Sequence, residues 1–127
     1  MYRATTHDRI NGQALAAIST GLVQLYSRCC GKGPTRAKTH MDGDTVVCIL
    51  RDPYTTPERT LLDAGEVETV QRMRDGFRRT METESHGLVE ANCGRKVIAS
   101  VATMHADPDL AAEVFVLEPR VNEPAPI

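Results

Sequence analysis

Three sets of side chains in this sequence are of types that could do chemistry. The first is basic. Arg36, Lys38 and His40 alternate and would share one face of a strand, while Arg72, Arg74, Arg78 and Arg79 stud a later helical stretch. Arg74 and Arg78 stand at i and i+4, on one helix face. If Arg74 or Arg78 lacks an acidic partner and meets the strand face, Arg36, Lys38, Arg74 and Arg78 would make an anion site. Bicarbonate, a phosphate-bearing nucleotide or an acidic partner segment would each satisfy it. The competing reading is a solvated helix laced by ion pairs, Glu68 with Arg72 and Asp75 with Arg79.

The second set is His105, Asp107 and Asp109, whose alternation would bring three ligand types towards one metal. Pro108 and a position between two strand-like segments favour a turn instead, so no metal is expected there. The third is the cysteines, Cys29, Cys30, Cys48 and Cys93. No pair has CxxC spacing, and the adjacent Cys29 and Cys30 point to different sides of a helix. We expect reduced thiols packed as small hydrophobes, rather than disulfides or structural zinc.

Two shorter motifs read as structure. Gly31-Lys32-Gly33-Pro34 superficially resembles a phosphate-cradling loop, but such a loop follows a strand and opens a helix. Here it ends a helix and enters a strand, so the positive end of a helix dipole is missing. In Glu58-Arg59, Glu58 complements the dipole at a helix start and Arg59 can pair with Asp63. No thiol has a histidine placed beside it by local spacing, and His40 and Cys48 fall on opposite strand faces. We therefore expect no catalytic residue and no cofactor.

The elements that must position these groups can be read from periodicity. Leu15, Ile18, Leu22, Leu25 and Cys29 form one apolar stripe, predicting a helix over 12–30 that Gly31 stops. Residues 35–51 read as a hairpin around Met41-Asp42-Gly43-Asp44. With Asp42 and Gly43 as the loop, Thr39 would face Val46, Ala37 would face Cys48 and Thr35 would face Leu50. The other face combines Arg36 and Lys38 with Val47 and Ile49, a mixture that calls for partial cover. Thr56 caps a short helix with Pro57 at its first position. After Gly65 a long helix follows over 66–92, with Val67, Val70, Phe77, Met81 and Leu88 inward and Met73 filling a packing gap.

A second hairpin, 95–104 with 111–118, is apolar on both faces. Helices can cover one face of a four-stranded sheet, so the other implies a homodimer. The expected fold is a two-layer α+β sandwich, helix–hairpin–helices–hairpin, with a largely antiparallel four-stranded sheet. The organisation expected is a flexible N-terminus over 1–11, one domain over 12–119 and a disordered tail over 120–127.

With 127 residues the chain fits one such domain, and its net charge of −2 and pI near 6.1 argue against a nucleic-acid partner. No apolar run reaches the roughly 18 residues of a membrane span, and the N-terminus lacks the apolar core of an export signal. The expectation is a cytoplasmic protein without direct membrane insertion.

The stretch Thr55-Thr56-Pro57-Glu58-Arg59-Thr60-Leu61-Leu62-Asp63-Ala64-Gly65 is the most distinctive of the chain. With Gly31-Lys32-Gly33-Pro34 before it and Glu113-Val114-Phe115-Val116-Leu117 after it, the chain resembles the MpsC family from about Gly12 to Pro119. Gly33, Pro34, Thr56, Glu58, Leu61, Gly65, Val70, Arg74, Gly94, Val97 and Phe115 fall where that pattern places them, and Asp107 is the counterpart of an aspartate or serine after the third strand. Members of the family are described as accessory parts of a sodium-translocating, membrane-potential-generating system. The resemblance implies a non-enzymatic accessory or regulatory subunit contacting a membrane ion or inorganic-carbon transport system. It transfers no active-site residues. Two other readings stand beside it: a small sensor holding an anion between Arg36, Lys38 and Arg74, and an uncharacterised enzyme.

Overall fold

The computed structural model describes residues 12–120. The loose ends expected over 1–11 and 120–127 lie outside them, apart from Arg120. Helix α1 runs Gly12–Cys30, and its predicted stripe is the one that packs: Ile18, Leu22 and Leu25 are buried, with Leu15 and Cys29 against them. The stripe is wider than periodicity indicated, because Ser19 and Tyr26 are also buried. Gly31 ends the helix at φ 83°, and Gly33 runs so close to it that a Cβ would meet the Val23 carbonyl oxygen at 2.7 Å. Lys32 ties this loop to Asp52, its Nζ 3.4 Å from the carboxylate, so the motif is a structural turn.

Strands β1 (Arg36–Asp42) and β2 (Thr45–Arg51) pair antiparallel, with Thr39 opposite Cys48 and Met41 opposite Val46. The loop is Gly43-Asp44 rather than Asp42-Gly43, which shifts every partner by two residues and leaves each side chain on its expected face. The reason is non-local: Arg95 grips Asp44 at 2.6 Å and donates to the Gly43 carbonyl. Helix α2 (Thr56–Asp63) is capped by Thr55, not Thr56, in a reciprocal capping box with Glu58. Helix α3 (Val67–Cys93) buries Val70, Met81 and Val89 and ends on left-handed Gly94, while Met73 is exposed rather than filling a gap. Strands β3 (Val97–His105) and β4 (Leu110–Leu117) form the predicted second hairpin, each reaching one residue further into the turn, which is 106–109.

The sheet order is β1-β2-β4-β3, antiparallel throughout, with the second strand of each hairpin at the centre. Helix α1 packs on β1 and against α3, α3 leans on β3, and α2 rests on α3. All helical cover is on one face. There Val46, Cys48, Leu50, Ala111, Phe115 and Leu117 meet Ile18, Leu22 and Val89 in one core. On the opposite face Val47, Ile49, Val114 and Val116 are only half-buried and Val101 is 66% exposed; Ile98, at the β3 bulge, is 61% exposed.

Candidate functional site

Polar groups concentrate where α2, α3 and the sheet converge. The capping box holds Glu58 in place: its Oε1 accepts from the Thr55 backbone N–H at 2.8 Å, while its own N–H donates to Thr55 Oγ1. From α3, Arg74 closes on the same carboxylate, Nε to Oε2 at 2.5 Å and Nη2 to Oε1 at 2.6 Å, and Nη2 also donates to the Pro53 carbonyl. The guanidinium carbon lies 6.0 Å from the centre of the Tyr26 ring and 5.6 Å from that of Tyr54. Glu58 is 1% exposed and Arg74 7%. Burial alone would raise the Glu58 carboxyl, but Arg74 and Thr55 outweigh it and hold the group below the ordinary carboxylate range.

Deeper, Tyr26 donates its hydroxyl to Glu113, which sits on the inward face of β4 among Ala111, Phe115 and Leu117. Burial pushes the Glu113 carboxyl up, and burial with that neighbouring charge pushes the Tyr26 hydroxyl up. Ser19 and Thr39 share a 2.7 Å hydrogen bond beside buried Cys48. Arg74 Nη1 approaches Cys30 Sγ at 3.5 Å, yet burial raises that thiol despite the cation, which leaves it a poor nucleophile.

Outside this polar core opens a cavity of about 500 Å³. Leu62, Val70, Met81, Ala102 and Met104 make its apolar walls, Tyr54 and Arg74 its inner end, and Arg78, Asp75 and His105 part of its rim.

The structure disperses some of the sequence-derived candidates and gathers others. Arg36 and Lys38 are exposed on the helix-free face of the sheet, away from Arg74, which α3 buries on the covered side. Arg74, expected as an unpaired cation, is paired with Glu58, because the i to i+4 spacing that organises α3 says nothing of α2. Arg78 contacts Asp75 at 3.6 Å, taking the partner foreseen for Arg79. Arg59 reaches Asp109 at 2.7 Å rather than Asp63, joining α2 to the β3–β4 turn. His105, Asp107 and Asp109 do not converge: His105 Nδ1 bonds the Pro108 carbonyl, Asp109 faces Arg59, and no group of three metal-ligating side chains is assembled among the described residues. Yet Arg74, Arg78, His105 and Asp107 all border the same cavity. Glu58, Glu113, Tyr26 and Tyr54 were missed as site residues. Only Glu113 carries a local sign, as the one acid at an inward position of an otherwise apolar alternation.

The family model that matches covers residues 11–119 and is described as MpsC, Na+-translocating membrane potential-generating system. No curated protein and no solved structure matches the chain.

Proposed function

The chain belongs to the MpsC family, and from that membership we propose that it is a non-enzymatic accessory subunit of a sodium-linked, membrane-potential-generating system. It acts by protein–protein contact from the cytoplasmic side, as a homodimer. No helix among the described residues is long and apolar enough to cross a membrane, so the role needs a membrane-embedded partner to carry the ion.

The observation that carries this reading is the helix-free sheet face. Four strands spaced about 4.8 Å apart and about 25 Å long give a footprint near 480 Å² per chain, and two such footprints come near the lower bound of about 1,000 Å² for a biological interface. Val47, Ile49, Val101, Val114 and Val116 furnish its apolar centre, and Arg36 and Lys38 lie along one edge. A second copy supplies the same apolar chemistry and fits this face. At the polar centre, support for a non-catalytic role comes from the pairing of Arg74 with Glu58 and of Glu113 with Tyr26.

Sedimentation of the wild type at micromolar concentration should give a dimer, and Val114→Lys should give a folded monomer. In cells lacking the gene, a voltage-sensitive dye should report a reduced sodium-dependent potential, restored by the wild type. A wild-type monomer would remove the dimer, and an unaltered potential in the deletion strain would remove the accessory role.

A further inference from the structure

We infer that the cavity between α2, α3 and β3 binds a small amphipathic carboxylate, its apolar body against Met81 and Met104 and its charged end at Arg78. This goes beyond the accessory role and does not rest on it. The volume of about 500 Å³ lies within the range that holds metabolite-sized ligands. Its walls come from three elements fixed by the core: Leu62 from α2, Val70 and Met81 from α3, Ala102 and Met104 from β3.

The polar groups select the class of ligand. Arg74 is committed to Glu58 and to the Pro53 carbonyl, so it offers an anion no net charge. Arg78, one helical turn on, is 44% exposed, touches Asp75 at 3.6 Å and acts through space on the buried Glu113 carboxyl, but donates no hydrogen bond to either, which leaves guanidinium donors for a carboxylate. Tyr54 is 7% exposed, lines the same cavity, and has a hydroxyl with no hydrogen-bond partner among the described residues. The hydroxyl itself is not sealed from solvent, so it opens on the cavity, where a polar atom of a ligand can bond it. Asp75 and Asp107 at the rim disfavour multiply charged anions such as nucleotides, so one carboxylate on an apolar body is the fit.

The test is methionine-methyl NMR on the full chain, titrated with octanoate and, separately, with 1-octanol. The chain's methionines include Met81 and Met104 inside the cavity and Met41 and Met73 outside it, which localises binding without mutation. Octanoate should shift Met81 and Met104 saturably and leave Met41 and Met73 in place. Octanol should bind roughly tenfold more weakly or worse, the value of one charge-assisted contact. Arg78→Gln should bring the two ligands to similar affinity, Arg36→Gln should change neither, and Ala102→Leu should close the site. Absence of saturable shifts, shifts centred on Met41 or Met73, or an octanoate preference surviving Arg78→Gln would each overturn the proposal. Should Ala102→Leu fail to fold, the wild-type shifts and the exposed Arg78→Gln variant still decide. Octanoate binding by a monomeric chain would leave this site standing while removing the dimer.

Discussion

Arg74 of α3 and Glu58 of α2 meet through two contacts, at 2.5 and 2.6 Å, sixteen residues apart in the chain. Glu58 thereby does two jobs with one carboxylate: it closes the capping box that starts α2, and it neutralises the cation that α3 brings into the core. The pair fixes the corner between the two helices and the inner end of the cavity.

Breaking it from one side leaves a charge buried and unpaired. Arg74→Met should cost about 3 to 5 kcal/mol of unfolding free energy, measured by urea denaturation. Adding Glu58→Gln to that variant should recover part of the loss, since the orphaned charge is gone while the capping hydrogen bond survives. Strictly additive losses in the two single variants and the double would show that the residues are not energetically coupled.

Two buried carboxylates shape stability against pH in opposite directions. Glu58 is held below the ordinary carboxylate range, so its pairing stabilises the fold above that range and is lost as pH falls through the lowered value. Glu113 is raised by burial, so the stability linked to its protonated form is full below the ordinary range and declines as pH rises through the raised value. Urea midpoints measured from about pH 2 to about pH 9 should therefore fall at both ends. Glu113→Gln should flatten the decline on the upper side, and Glu58→Gln should flatten it on the acid side. A Glu113→Gln profile parallel to wild type would mean that this carboxyl does not titrate differently on folding.

Glycines separate by what surrounds them. At Gly33 a Cβ would strike the Val23 carbonyl oxygen at 2.7 Å, a backbone atom that cannot swing aside, so Gly33→Ala should destabilise by roughly 1 to 3 kcal/mol. Gly87 lies inside α3 with nothing within 4 Å of a built Cβ, and Gly87→Ala should stabilise by about 0.5 to 1 kcal/mol. Thermal melts of the two variants should move in opposite directions; equal shifts would remove the steric argument.

The four thiols should label in an order set by burial. Cys48 is fully buried and its thiol is raised by that burial, so it should react only on unfolding. Cys29 is half-buried at the end of α1 and should react first, with Cys30, whose thiol burial raises, and then Cys93 behind it. Time-resolved thiol labelling followed by peptide mass mapping reads the order directly. Rapid modification of Cys48 in the folded chain would contradict the packing described for β2.

By itself the sequence determined the elements and their faces. The three-and-four spacing of Leu15, Ile18, Leu22 and Leu25 set α1 and the side it buries, Gly31 and Gly94 set helix ends, and strand alternation put Thr39 and Cys48 on one face and Arg36 and Lys38 on the other. These are consequences of periods fixed by backbone geometry, so they survived a hairpin register two residues away from the expected one. The family was legible for a related reason: two of its motifs lie at caps and turns, where few residue types fit, and the third, Glu113 to Leu117, is the alternation of a core strand. The tertiary structure alone decided the partners. Glu58 with Arg74, Tyr26 with Glu113, Arg59 with Asp109 and Arg95 with Asp44 each join separate elements, and the cavity exists only because three of those elements leave a gap. Local spacing carries no information about which of several charges a distant helix will bring near, and burial then makes that choice the strongest one energetically.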